Sequence, residues 1–244
     1  MGEAIAFLSG KGGTGKTSVC AGVATALAKE GKRVLCIDCD IGLRNLDIAL
    51  GISQEPALNF LNITQGYYLL EQLQSHPNFP TLWFLTAPVS LKADDIDGEA
   101  FALMIKNAKD KYDYVLMDAP AGLDAGFRLT ALNADRIFVV ANPDPASIRD
   151  AGLTGQMLEL MGRVNVRLIV NRIDPKLIGA LDQTVDDIMD ETGLPLIGIV
   201  PEDVNVLLAA ATGKPLMLYT RRGATAACRR IARRLQGLNT PISL

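Results

Sequence analysis

"SGKGGTGKTS", residues 9–18, follows the apolar run "AIAFLS" (4–9) and opens into "SVCAGVATALAKE" (18–30). Gly10, Gly15, Lys16 and Thr17 satisfy the phosphate-loop spacing G-x-x-x-x-G-K-[ST]. The order strand, glycine-rich turn, helix is the context that makes the spacing a site. Glycines let the backbone wrap closely round phosphate oxygens. Backbone N–H groups and the helix N-terminus supply partial positive charge. Gly12, Gly13, Thr14, Gly15, Lys16, Thr17 and Ser18 are therefore the expected phosphate contacts. Lys16 is expected to meet the β and γ phosphates, and the Thr17 hydroxyl to hold Mg²⁺. A second lysine, Lys11, is one more than such a loop needs.

The rest of the chain alternates in the same way. Further apolar runs are "RVLCID" (33–38), "LWFLTA" (82–87), "YVLMDA" (114–119), "RIFVVA" (136–141), "VRLIVN" (166–171) and "PLIGIV" (195–200). Most are continuously apolar, as strands buried on both faces are. Helical patterns lie between them, over residues 98–110, 124–133, 146–161, 182–191, 203–211 and 223–236. In the first helix Val19, Val23, Ala26 and Leu27 share a face, and Gly31 is a stop signal. The alternation predicts an α/β fold with one doubly wound, mostly parallel sheet flanked by helices. No linker or repeat interrupts it, so residues 1–244 read as a single phosphate-loop domain. Residues 42–80 are the least strand-like and are expected near the ligand, as excursions in such folds tend to be.

Two strand ends supply acids. "VLCIDCDIG" ends in Asp38 and Asp40, and "YVLMDAPAG" in Asp118, the place of a Walker B carboxylate. Thr17, Asp38 and Asp118 are the candidate Mg²⁺ ligands. Cys36 and Cys39 in "CIDC" lack the second cysteine pair that a four-ligand metal site needs, so they read as structural. His76 reads as a loop residue and Trp83 as packing. Hydrophobic residues are 49% of the chain and aromatics 5%, so aliphatic side chains must fill the core. A net charge of -3 argues against general nucleic-acid binding, although Arg221, Arg222, Arg229, Arg230, Arg233 and Arg234 cluster late in the chain. No run approaches the ~18 apolar residues of a membrane span. The four cysteines suggest no disulfide framework, which fits a cytoplasmic protein.

"KGGTGKT" (11–17) resembles the deviant Walker A motif of the ParA/MinD class of ATPases, in which Lys11 is the signature lysine. "DCDIGLRNLDIALGI" (38–52), "NFLNITQG" (59–66), "DAPAGLDAG" (118–126), "NPDPASIRDA" (142–151) and "VPEDVNVLLAA" (200–210) resemble the cell-division branch of that class. The likeness runs in order from residue 1 to about residue 236. It implies Mg²⁺-dependent ATP hydrolysis to ADP, coupled to an ATP-dependent homodimer. By the resemblance, Lys11, Lys16 and Asp40 carry catalysis, with Asp40 positioning water in switch I. Asp118 supports Mg²⁺ in switch II. Asn171, Arg172, Pro201, Glu202 and Asp203 surround adenine. Lys11 crosses the dimer interface to the partner's phosphates, and Asp144 and Asp150 fall where acids contact it. That would give it the physical role of an arginine finger supplied in trans. The alternative is a solvated lysine balancing phosphate in its own subunit.

The resemblance further implies a switch in septum placement. It would recruit a MinC-like division inhibitor and answer to a regulator like those of the MinE or DivIVA systems. Other members of the class, a flagellar-number regulator, a metal-insertion ATPase or a DNA-segregation ATPase, stay open as alternatives. Relatives in the branch usually end in a separate amphipathic helix that targets the membrane. Here "GATAACRRIARRLQGLN" (223–239) reads as the domain's own last helix, followed by "TPISL". Either its arginine face meets anionic lipid at the inner surface of the cell membrane, or membrane contact is weak or absent.

Overall fold

A computed structural model describes residues 1–41, 44–88, 95–174, 176 and 184–243. The strands are β1 (Glu3–Leu8), β2 (Val34–Asp38), β3 (Ser75–His76), β4 (Phe79–Leu85), β5 (Tyr114–Asp118), β6 (Arg136–Ala141), β7 (Val166–Ile173) and β8 (Leu196–Pro201). They form one sheet in the order β3-β4-β2-β5-β1-β6-β7-β8. Every pairing is parallel except β3 with β4. β1 lies between β5 and β6, with Phe7 beside both Asp118 and Phe138. From β1 the chain winds to one side through β2 and β4, and later to the other through β6, β7 and β8. The carboxyl end of β1 is thus a topological switch point, where open α/β sheets form their ligand crevice.

Helices cover both faces. α1 (Lys16–Lys29), α2 (Leu46–Leu50) and α3 (Phe60–Thr64) precede β3, and α4 (Gly98–Lys111) and α5 (Ala125–Leu132) flank β5. α6 (Pro145–Leu160), α7 (Val185–Thr192), α8 (Val204–Ala211), α9 (Leu216–Tyr219) and α10 (Ala224–Leu235) follow in chain order. Side chains of β1 alternate between the two layers. Ala4, Ala6 and Leu8 pack with Phe101 of α4, Phe127 of α5 and Ile148 of α6. Ile5 and Phe7 pack with Val23 of α1 and Ile231 of α10. Neither layer leaves a face wet, which is why the strands read as unbroken apolar runs. Cys36 faces one layer and Cys39 the other, so the two thiols of "CIDC" do not converge.

The first helix is more enclosed than its apolar stripe predicts. Ala21, Gly22, Ala24, Thr25 and Ala28 are buried as well, because α10 covers the side away from the sheet. Small residues allow the approach. A Cβ on Gly22 would fall 2.6 Å from Cys228 Sγ, and one on Gly198 of β8 would fall 2.4 Å from Ile231 Cγ1. α10 is therefore part of the core, and three of its four arginines bond within the chain. Arg233 pairs with Glu30 at 3.1 Å. Arg230 donates to the Ser243 carbonyl at 2.5 Å. Arg234 donates to the Ile197 carbonyl at 2.6 Å and to those of Thr240 and Pro241.

Three expectations change. His76 is not an open-loop residue: it is buried in β3, its Nε2 lies 2.8 Å from the Leu50 carbonyl, and its Nδ1 accepts the Asn78 N–H at 3.0 Å. Residues 42–80 contain a strand, the antiparallel edge β3, which two residues are too short to announce. That stretch also divides: Asn45, Ile48 and Ala49 reach the phosphate loop, whereas β3 closes the far edge of the sheet. Trp83 packs as expected, its ring 5.2 Å from that of Tyr112. Gly42 and Leu43 of the "DIGLRNLD" segment, and residues 182–183 of the helix expected there, lie outside the described residues.

The α1–α10 contact gives a stability test. Alanine for glycine in a helix gains about 1 kcal/mol of propensity, but overpacking a core costs about 1–3 kcal/mol. Gly22→Ala is expected to destabilise the protein in urea unfolding, and adding Cys228→Ala to recover most of the loss. A Gly22→Ala protein more stable than wild type would show that the helices separate freely.

Candidate functional site

The phosphate loop leaves β1 at Leu8 and turns into α1 at Gly15, whose φ of 83° suits only glycine. The four glycines of the loop divide the work. A Cβ on Gly10 would fall 2.7 Å from the Asp150 carbonyl oxygen, so Gly10 lets the loop lie against α6. A Cβ on Gly15 would fall 2.3 Å from Asn171 Nδ2. Around Gly12 there is open space, as there is at Gly13, and this is the cradle a phosphate chain needs.

Lys16 begins α1 and is 6% exposed, with Nζ 2.7 Å from Asp118 Oδ1. Burial opposes its charge, but the Asp118 carboxylate more than offsets this and holds the Lys16 pKa above the ordinary lysine value. Asp118 ends β5, in register with Asp38 at the end of β2.

Asp38 and Asp40 take different work. Asp38 is fully buried. Its Oδ1 accepts the N–H of Asp40 at 2.9 Å, and its Oδ2 accepts those of Asn45 and Leu46, each at 3.2 Å. It thereby ties together the two ends of the 40–46 segment. Burial, and then the charge of Asp118, push its carboxyl up to about 7, against the pull of the three N–H groups. Both Asp38 oxygens are thus turned to backbone. Asp40 is half-buried on a cavity of about 430 Å³ whose walls include Gly12 to Ser18, Asn45 and Ala121. Burial raises its pKa, with Lys16 opposing.

A second cavity, about 510 Å³, opens on the other side of the loop. Asn171, Arg172, Pro201, Glu202 and Asp203 all line it, together with Gly13, Gly15 and Ser18. The two cavities share those three loop residues and Ala210, so they adjoin one another along the phosphate loop, the second being the larger. Arg172 pairs with Glu202 at 2.5 Å at the rim. The Asp203 carboxylate is committed to structure: it caps α8 through the Asn205 N–H at 2.9 Å and accepts the Ala224 N–H at 3.0 Å.

Lys11 stands on the loop's outer side, its Nζ 2.9 Å from Asp144 Oδ1 of its own chain. Asp144 also caps α6, accepting the Ser147 N–H at 3.0 Å. Burial works against the Asp144 charge, yet the Lys11 ammonium and the N–H of Ser147 bring its pKa below the ordinary value. Asp150 sits behind the loop, where its backbone carbonyl accepts the Thr154 hydroxyl at 2.7 Å. Among the described residues, Lys11 forms its ion pair with Asp144 and not with Asp150.

Sequence reasoning missed Asn45, Ile48 and Ala49 of the phosphate-side wall, and Val206, Leu207 and Ala210 on α8. Their signal lay in α8, which is apolar yet leaves Val204 64% and Leu207 69% exposed. An apolar helix with so little to cover borders a crevice more readily than a core.

Known proteins share this arrangement. A profile of the CobQ/CobB/MinD/ParA nucleotide binding domain matches residues 5–216. The septum site-determining protein MinD of Synechocystis sp. is 36% identical over 245 residues, spanning 99% of this chain and 92% of that protein. A chain of the MinC:MinD cell division protein complex of Aquifex aeolicus superposes with a TM-score of 0.91 at 38% identity, covering 99% of this chain and 98% of its own. MinD of Pyrococcus horikoshii, complexed with Mg-ADP, superposes with a TM-score of 0.83 at 28% identity, with 96% of each chain covered.

The buried Lys16–Asp118 pair can be tested without ligand. Removing one partner of a buried pair leaves an uncompensated charge and costs about 3–5 kcal/mol. Asp118→Ala is expected to lose that much in urea unfolding of the nucleotide-free protein. Lys16→Met combined with Asp118→Ala should lose clearly less than the sum of the two single changes. Additive losses would mean that the two side chains do not depend on each other.

Proposed function

The chain belongs to the CobQ/CobB/MinD/ParA family of nucleotide-binding domains, and on that premise we propose that it is a MinD-like ATPase, a switch in septum placement built on a single phosphate-loop domain over residues 1–244. The observation that carries this is the open cradle at Gly12 and Gly13, with the Lys16 ammonium beneath it at the switch point of the sheet.

Each residue has a derived task. ATP lies along the crevice, with its phosphates on residues 12–18 and its base in the larger cavity beside Asn171 and Pro201 to Asp203. Lys16 exchanges Asp118 for the β and γ phosphates. Asp118 and the Thr17 hydroxyl then face Mg²⁺. One hydroxyl and one carboxylate suit this ion, which takes most of its ligands from phosphates and water. When bound, Mg²⁺ neutralises charge on the phosphates. Asp38 holds the 40–46 segment by its backbone, which leaves Asp40 to orient the attacking water. Lys11 leaves Asp144 to meet the phosphates of a second copy. A half-exposed ion pair is worth about 0–1 kcal/mol, so the charge of a triphosphate outweighs the pair that is given up.

The Aquifex aeolicus complex supports a MinC-like inhibitor as partner. A regulator of the MinE or DivIVA type completes the proposed system. No helix among the described residues is long and apolar enough to cross a membrane. The proposed residence is the cytoplasm, with peripheral contact at the inner membrane face. Since Arg230, Arg233 and Arg234 serve the fold, the exposed Arg221, Arg222 and Arg229 are the arginines left for anionic lipid.

Light scattering with ADP and with ATP tests the switch. Asp40→Ala is expected to bind Mg·ATP, to lose ~10²-fold or more in turnover, and to dimerise only with ATP. Lys11→Ala should bind ATP yet stay monomeric. A Lys11→Ala protein that dimerises with ATP would return Lys11 to service within its own subunit.

A further inference from the structure

Val170 pairs with Ile199, and Ile173 with Pro201, so β7 carries one residue more than β8 between those pairs. The surplus is taken up at Arg172, whose φ of 59° is the one positive value at a non-glycine residue among the described residues. A bulge of this kind re-aims its neighbouring side chain. Asn171, 6% exposed, donates from Nδ2 to the Thr14 carbonyl at 2.7 Å. Thr14 is the middle of the phosphate loop. On either side of it, Gly13 borders open space and Gly15 is bare because the Asn171 amide fills the place of a Cβ.

We infer that Asn171 is a positioning residue for the phosphate loop: its amide braces the Thr14 peptide before any ligand arrives. A trans peptide is planar, with its C=O and N–H on opposite sides. Fixing the Thr14 carbonyl toward Asn171 therefore aims the Gly15 N–H away from it. Glycine-rich backbone without a brace would have to be ordered at each binding event, and preorganisation removes that cost. The role rests on the nucleotide reading above only in taking a polyphosphate as the loop's ligand. It is separate from contact with a base, because the bond runs from the Asn171 amide to the Thr14 carbonyl of the same chain.

Two measurements separate a brace from a base contact. The first is calorimetric titration with magnesium tripolyphosphate, which has no base. Asn171→Ala is expected to bind it roughly tenfold more weakly, as the loss of one buried hydrogen bond dictates. Asn171→Asp, which turns a carboxylate toward a carbonyl, should bind it more weakly still. The second is amide hydrogen exchange of the ligand-free protein. Amides of residues 13–16 are expected to exchange faster in Asn171→Ala, with protection of β1 and of the last turns of α1 retained. Wild-type affinity for tripolyphosphate, or unchanged exchange in residues 13–16, overturns the brace. A wild type that binds neither ATP nor tripolyphosphate overturns the nucleotide reading itself, while the exchange measurement still judges the brace alone.

Discussion

A strand paired along both edges and packed on both faces can offer its chain to the outside only at its ends. β1 is held in this way, between β5 and β6 and between two helical layers. Everything in the crevice follows from where it stops. The loop that continues it emerges where the sheet changes winding direction, and the helix that follows must turn back over the same strand. Lys16 is then buried at the first turn of α1, where an unpaired ammonium would cost several kcal/mol. Asp118 stands on the neighbouring strand and supplies the counter-charge. A phosphate arriving in the cradle replaces one negative partner with another, so the lysine is compensated on both sides of the binding step.

The same economy of position separates two acids that look alike. Asp38 and Asp40 are two residues apart at one strand end, yet one is wholly within the protein and the other stands at the cavity. The buried one shapes backbone, and its three N–H donors make it the hinge post of the segment that carries the other. Change at Asp38 would therefore disturb the segment that carries Asp40. Across the crevice Asp203 plays a comparable part, joining the start of α8 to the start of α10. The residues nearest a ligand are held by residues whose own polar atoms are already spent.

Much of this was legible in the sequence because the signals were local. An unbroken apolar run such as "RIFVVA" has one plausible home, and β6 occupies residues 136–141. The strand, loop and helix around Lys16 lie within thirty residues of one another, and the motif carries its own physics. What escaped depended on partners far along the chain. The closure of α1 by α10 could not be read from α1, whose small residues look like a weak stripe until Cys228 is set beside Gly22. β3 is too short for any periodicity, and His76 is held by Leu50, 26 residues earlier, as well as by its near neighbours Asn78 and Phe79. The intrachain bonds of Arg230 and Arg234 could not be read from the basic cluster, because carbonyl acceptors leave no mark in a sequence. The bond between Asn171 and Thr14 links residues 157 positions apart.

That separation also orders events during synthesis. Ribosomes add about 5–20 residues each second, and the chain emerges with β1 first. Both strands that flank β1 lie beyond residue 113, so the nascent amino-terminal segment has no native neighbours for its edges while the first hundred residues are exposed. The loop acquires its shape later still, when Asn171 has left the tunnel. Long-range pairing of this kind slows folding and exposes apolar strands in the interval. The sequence that is first to appear is thus among the last to become competent, and a truncated translation product would carry the signature motif without the ability to use it.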